Sequence, residues 1–231
     1  MIPSLLQIPS AVSDSKLHSV LPNNGKGDFT FDRSTGATRI NKDGLIEEVG
    51  YFSSELVQNG DFSELGSELI VNGDFATDSN WTLATGWTIN NGKLRADNVS
   101  LLNAFQAYVY TSGKTYKVTY TISDYVKGEL RFQLGGGGAT VNGQTRSANG
   151  TYTEYIVATA NHTSARFRAL SADGGLTASI DNVSVKQVDP NDRWSLPSGW
   201  SYGNNKILGS NTNTFDSAQQ SPLAISGKEL K

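Results

Sequence analysis

Five aromatic side chains offer the most specific chemistry in this sequence: Trp81, Trp87, Tyr108, Tyr110 and Tyr125. An exposed aromatic face stacks on the apolar face of a pyranose ring, and Asn, Gln and Asp fix the hydroxyls around it. The competing reading is that these rings fill a core. Glycoside hydrolysis would need two carboxylates about 5–9 Å apart, one with a raised pKa. Glu129, Glu154, Asp124 and Asp173 are available, but nothing in their spacing marks a pair, and Glu154 reads as an outward polar residue on an alternating strand. His162 sits in a polar stretch and His18 is isolated, so neither reads as a catalytic base or a ligand. Gly135–Gly138 lacks the Lys-Ser/Thr of a phosphate loop, and Gly113-Lys114-Thr115 has Tyr108 where the first glycine is required. Both read as plain loops, and the chain reads as a non-enzyme.

Composition narrows the field further. There are no cysteines, which removes disulfides, thiolate zinc sites and cysteine nucleophiles. Nineteen basic residues face 22 acidic ones for a net charge of −3, which argues against a nucleic-acid partner. No stretch approaches 18 apolar residues, so no membrane-spanning helix is expected. The N-terminus has no basic n-region, and Pro3 and Pro9 break its apolar stretch, so no secretory signal is expected. Ser, Gly, Thr and Asn make up 89 of the 231 residues, a composition that favours short strands and turns.

The elements that would position these residues follow from the alternation of apolar and polar positions. Residues 1–67 read as a mostly irregular attachment and oligomerisation region, too short and polar to bury much core alone. Within it, Ala37–Ile40 leads into an Asp43-Gly44 turn, and Leu45, Ile46 and Val49 begin a strand or one helical turn. Residues 68–188 carry the regular pattern. Trp87–Ile89 and Lys93–Ala96 flank Asn91-Gly92 as a hairpin. Tyr116, Val118, Tyr120 and Ile122 share one face of a strand, as do Leu130, Phe132 and Leu134, and Ala165, Phe167 and Ala169. In the last strand Ile180 and Val183 are out of phase, so it is bulged or buried on both faces. About eight strands with regular turns spell an all-β sandwich of the jelly-roll kind.

Two internal repeats stand out. ELVQNGDF at Glu55 recurs as ELIVNGDF at Glu68. Separately, NWTLATGWTINNGKL at Asn80 recurs as RWSLPSGWSYGNNKI at Arg193, which pairs Trp81 with Trp194 and Trp87 with Trp200. Residues 189–231 therefore read as a linker and an incomplete second module. Such a module is completed by another subunit, or the chain is the front of a longer protein.

The pattern ELIVNGDF…NW…GW…SGKTYKVTYTI…TYTEYIVA…SIDNVSVKQV resembles the carbohydrate-binding-module jelly rolls of the family 4/9 type, within the galactose-binding-like sandwiches. The stretch FTFDRSTGATRINKDGLIEEVG resembles a segment near the front of bacteriophage fibre and appendage proteins. Together they imply a virion structural protein, of the head or tail fibre or decoration kind. It would bind capsid, portal or tail proteins and copies of itself as a homotrimer, and touch host-surface glycans. Phe29, Phe31, Arg33, Arg39, Leu45 and Ile46 would carry the virion contact. The resemblance also implies a structural calcium held by Asp74 and Asp181, although the family's acidic residue after the Phe is here Ala76. The alternative is a carbohydrate-binding module of a secreted bacterial glycosidase.

Overall fold

A computed structural model describes residues 9–13, 16–19, 29–30, 37–40, 44–49, 56–171, 174–210 and 216–220. Contacts divide the chain into two compact units, Met1–Leu56 and Val57–Lys231. The break falls before the first NGDF copy, which lies in the second unit.

Among the described residues, the first unit holds five strands. β1 (Pro9–Ser13), β2 (Lys16–Ser19) and β3 (Phe29–Thr30) make one antiparallel sheet. β4 (Ala37–Ile40) and β5 (Ile46–Val49) pair as a hairpin, with Ile40 opposite Ile46 and Gly44 at φ 78° in the loop. The strand alternative at residues 45–49 is the one realised. Phe29, Arg39 and Ile46 lie on these strands, and Leu45 is exposed. Phe31 and Arg33 fall outside the described residues.

The second unit is an all-β jelly-roll sandwich. Its strands in chain order are β6 (Leu65–Glu68), β7 (Thr82–Leu83), β8 (Trp87–Asn90), β9 (Lys93–Val99), β10 (Asn103–Tyr110), β11 (Thr115–Lys127), β12 (Leu130–Gly135), β13 (Val141–Asn142), β14 (Gly150–Val157), β15 (His162–Ala169), β16 (Leu176–Val188), β17 (Trp200–Tyr202) and β18 (Ile207–Gly209). One sheet runs β13-β12-β15-β10-β7. The other runs β14-β11-β16-β9-β8, with β6 also on β16. Every pairing is antiparallel.

The period-2 faces read from sequence are the core faces. Tyr116, Val118, Tyr120 and Ile122 from one sheet meet Leu130, Phe132, Leu134, Ala165, Phe167 and Ala169 from the other, all buried. Asn91 and Gly92 both take positive φ, as a two-residue hairpin loop between β8 and β9 requires. The phase slip in β16 is a bulge: Asn182 sits at φ 52°, and the pairing shifts between Thr119 and Thr121 of β11. That one residue lets Ile180 and Val183 both face inward.

Glu154 corrects the sequence reading. It faces the interior of β14, with its carboxylate accepting from the Tyr120 hydroxyl at 3.1 Å and the Gln144 amide at 2.7 Å. Tyr152, Glu154 and Ile156 make the inner face of β14, and Tyr155 and Val157 the outer one. His162 is also fully buried, with Nδ1 3.0 Å from the Gly136 carbonyl oxygen. The glycine run follows from this packing. Gly137 takes φ 70°, and a Cβ there would run into the Asn161 carbonyl.

The two internal repeats prove to be one. In the first copy, the Trp81 indole donates to Asn72 O at 3.2 Å and its ring lies 5.3 Å from Phe75. In the second, the Trp194 indole donates to Asn59 O at 3.1 Å and its ring lies 5.1 Å from Phe62. Gln106 exchanges two bonds with the Val71 backbone, and Gln220 exchanges the same two with the Gln58 backbone. Phe105 pairs with Thr82, as Gln219 does with Ser195. Asp97 N donates to Gly86 O, as Ser210 N does to Gly199 O. Even the unpartnered indole nitrogen of Trp87 recurs at Trp200.

The tail is therefore not simply a linker and the opening of a module further along. Residues 57–62, 193–210 and 216–220 together build a second copy of the corner that residues 70–106 build once. The sandwich is inserted between its two halves, where the first copy has only residues 76–80. The insertion is closed at its neck. β6 pairs with the end of β16, Asp189 N donates to Glu64 O at 3.0 Å, and Asn191 bonds the Glu64 carboxylate.

Candidate functional site

The alternation that turns Leu130, Phe132 and Leu134 inward turns Arg131 and Gln133 outward, and likewise Arg166 and Arg168 between Ala165, Phe167 and Ala169. Strand register then gathers them. Across the five-stranded sheet, Thr82, Phe105, Arg166, Gln133 and Asn142 form one row, each opposite the next. Beside it, Asn103, Arg168 and Arg131 form a second. With strands about 4.8 Å apart, the first row spans roughly 19 Å.

These side chains are held in place. Gln133 is 4% exposed and donates to Asn142 Oδ1 at 2.7 Å. Arg166 Nε donates to Ser164 Oγ at 2.8 Å, and Arg168 Nη1 reaches Asn103 Oδ1 at 3.4 Å. The Arg166 guanidinium lies so close over Gly135 that a Cβ there would collide with it. Phe105 adds a half-buried aromatic ring. The surface is a broad, preorganised set of amides, hydroxyls, guanidinium groups and one ring. Such a surface can bind a polyhydroxylated ligand. Among the described residues, its two rows hold no carboxylate.

The aromatic residues singled out from sequence lie elsewhere. Trp81, Trp87 and Tyr110 are 9%, 4% and 0% exposed and belong to the core cluster, so none presents a ring face to a ligand. A sandwich of this size needs large fillers, and these rings supply them. Tyr108 is exposed and packs edge-on against Tyr110. Tyr125 is half-buried, its hydroxyl donating to Gly128 O at 3.0 Å. The five do not form one platform. Among the hydrolytic candidates, Asp124 pairs with Lys93 at 3.0 Å, which with the hydrogen bond holds its carboxyl below the usual range. Asp173 lies outside the described residues.

Asp74 Oδ1 accepts from Ala76 N at 3.3 Å, and Asp181 Oδ1 from Asn182 N at 2.6 Å. Among the described residues, no group of three or more His, Asp or Glu side chains could hold a metal ion. Calcium takes six to eight oxygens. Two carboxylates already turned to their own backbones do not fit that demand.

A concave feature lies where the split corner meets the sandwich, a cavity of about 350 Å³ lined by Trp194, Trp200, Tyr202, Lys114, Val188 and Asp189 among others. Asp189 is 3% exposed and organises it. Its carboxylate accepts from Tyr202 Oη at 2.8 Å, Trp194 N at 2.9 Å and Asn59 Nδ2 at 3.2 Å. Lys114 and Asp192 form an ion pair at its rim.

No family model matches the chain, and no curated protein matches it. Several solved structures are similar. The enzymatically active domain of tailspike protein 4 of bacteriophage CBA120 is 19% identical, with a TM-score of 0.38, covering 52% of this chain and 21% of that one. The chain thus spans about a fifth of that protein's length. The N-terminal cellulose-binding domain of Cellulomonas fimi β-1,4-glucanase C is 19% identical, with a TM-score of 0.31, covering 47% of this chain and 83% of that one. The family 11 carbohydrate-binding module of Clostridium thermocellum Lic26A-Cel5E is 13% identical, with a TM-score of 0.34, covering 53% and 95%.

Proposed function

We propose that the protein is a non-enzymatic display protein whose sandwich contacts glycans through the outer face of its five-stranded sheet, and that it serves as a head or tail fibre or decoration component of a bacteriophage virion. The observation that carries the glycan reading is the row Phe105, Arg166 and Asn142, a ring, a guanidinium and an exposed amide on neighbouring strands, with the buried Gln133 holding Asn142 in place. The virion reading is supported by the resemblance of residues 29–50 to phage appendage segments, and there the strands around Gly44 form a hairpin. A single face of this kind binds weakly. Display as a trimer, and in many copies on one particle, converts weak contacts into lasting attachment.

Two measurements test this. On a glycan array, the full chain binds at least one polysaccharide, and Phe105→Ala with Asn142→Ala lowers that binding about tenfold without unfolding the protein. Failure to bind any glycan overturns the glycan reading. Antibody labelling of purified particles locates the chain on the virion, and its absence from them overturns the virion reading.

A further inference from the structure

Arg131 and Arg168 stand directly opposite each other on neighbouring strands, and Arg166 lies one pleat away on the same face. Like charges directly opposite in an antiparallel pair destabilise a sheet. Among the described residues none of the three makes an ion pair. Their hydrogen bonds use one donor each of Arg166 and Arg168 and none of Arg131, whose Nε is buried without a partner. A guanidinium carries five N–H donors in a planar fork that matches the two oxygens of a carboxylate or sulfate. The chain's net charge of −3 gives no general attraction for polyanions, so this cluster is a local exception.

From this we infer that the face selects an anionic saccharide, one bearing carboxylate or sulfate groups. Arg131, Arg166 and Arg168 are its anion-binding residues, with Asn103 and Asn142 meeting the hydroxyls. The inference rests on the glycan-contact reading of the same face. A nucleic acid is the other polyanion to consider. Among the described residues, the two rows carry one ring, Phe105, where strand binding relies on successive stacking platforms.

Binding of the full chain to immobilised polygalacturonate, dextran sulfate, neutral dextran and single-stranded DNA tests the inference. At least one anionic polysaccharide binds ten times or more tighter than dextran, and the two anionic arms tell carboxylate from sulfate. Replacing Arg131, Arg166 and Arg168 together by Gln abolishes the preference. Replacing Lys117 and Lys186, paired on the other sheet, by Gln leaves it intact. Arg131→Gln alone guards against a folding artefact: it relieves the repulsion from Arg168, so melting temperature holds or rises while anionic binding falls severalfold. Equal affinity for dextran, equal affinity for DNA, or a preference that survives the triple substitution each overturns the inference. Binding to neutral glycans alone overturns it while leaving the glycan-contact reading standing.

Discussion

Phe75 and Phe62 occupy the same place in two copies of one corner, each at positive φ after an Asn-Gly-Asp turn and each against a tryptophan. Phe75 is 1% exposed, and Phe62 is half-buried. The difference lies in the strands that cover each ring. The first corner is roofed by β15 and β16. Trp81 stacks near Phe167 at 6.2 Å, and Val183 N donates to Gly73 O at 2.8 Å. The second corner has no such strands among the described residues and leans instead on the buried carboxylate of Asp189. The indole, glutamine-amide and turn hydrogen bonds recur in both, so they specify the corner's shape. The covering strands decide how much burial it contributes.

The largest effect that separates the copies is aromatic truncation. Phe75→Ala costs roughly 3–5 kcal/mol, the range for a fully buried Phe. Phe62→Ala costs about 1–2 kcal/mol, since part of its surface never leaves water. Urea unfolding measures both, and equal costs would erase the distinction between the two corners. Asp189→Ala comes next. It strands the Tyr202 hydroxyl, the Asn59 amide and the Trp194 backbone N–H, at about 1–3 kcal/mol. The loss is local. Trp194 and Trp200 become more quenchable by acrylamide, while the near-ultraviolet signal of Tyr110, Tyr116 and Tyr120 is retained. Loss of both signals together would mean that the second corner supports the core.

Alkali gives the smallest effect. Burial pushes the Tyr110 and Tyr120 phenols well above their usual range. Tyr202 is pushed up too, by burial and then by its bond to Asp189. A raised folded pKa stabilises fully below the unfolded value near 10 and is lost as pH rises toward the folded one. Stability is therefore flat to about pH 9, then falls. At pH 10.5 the loss is below about 1 kcal/mol for each of Tyr110 and Tyr120. Denaturation midpoints between pH 8 and 11 check the sign. A midpoint that rises with pH would contradict the burial of these groups.

Much of this architecture is legible in the residues. Alternation in KTYKVTYTI and GELRFQL placed the core faces, and the clash of phase between Ile180 and Val183 foretold the bulge. The outward arginines were equally visible as the gaps between core residues. Their meeting was not, because it depends on β12 pairing with β15 in one register. Residue type misled at Trp81 and Trp87, since a large ring serves a core and a platform equally well. It misled at Glu154 too, where a carboxylate turns inward to meet Tyr120. The split corner hid for a different reason. Each repeat is plain by itself, but the halves that bond are separated by the whole sandwich. Nothing local in residues 55–62 names Trp194 as their partner.

The neck of the insertion has a mechanical consequence. Chain enters the sandwich at Glu64 and leaves it at Asp189, side by side, while Gln58–Gln220 and Asn59–Trp194 tie the strands just outside. Tension applied along the polypeptide across residues 57–220 passes through that clasp before it reaches β6 or β16. The sandwich then hangs as a side branch off the line of force. The clasp must open first, and only afterwards does the neck begin to unzip.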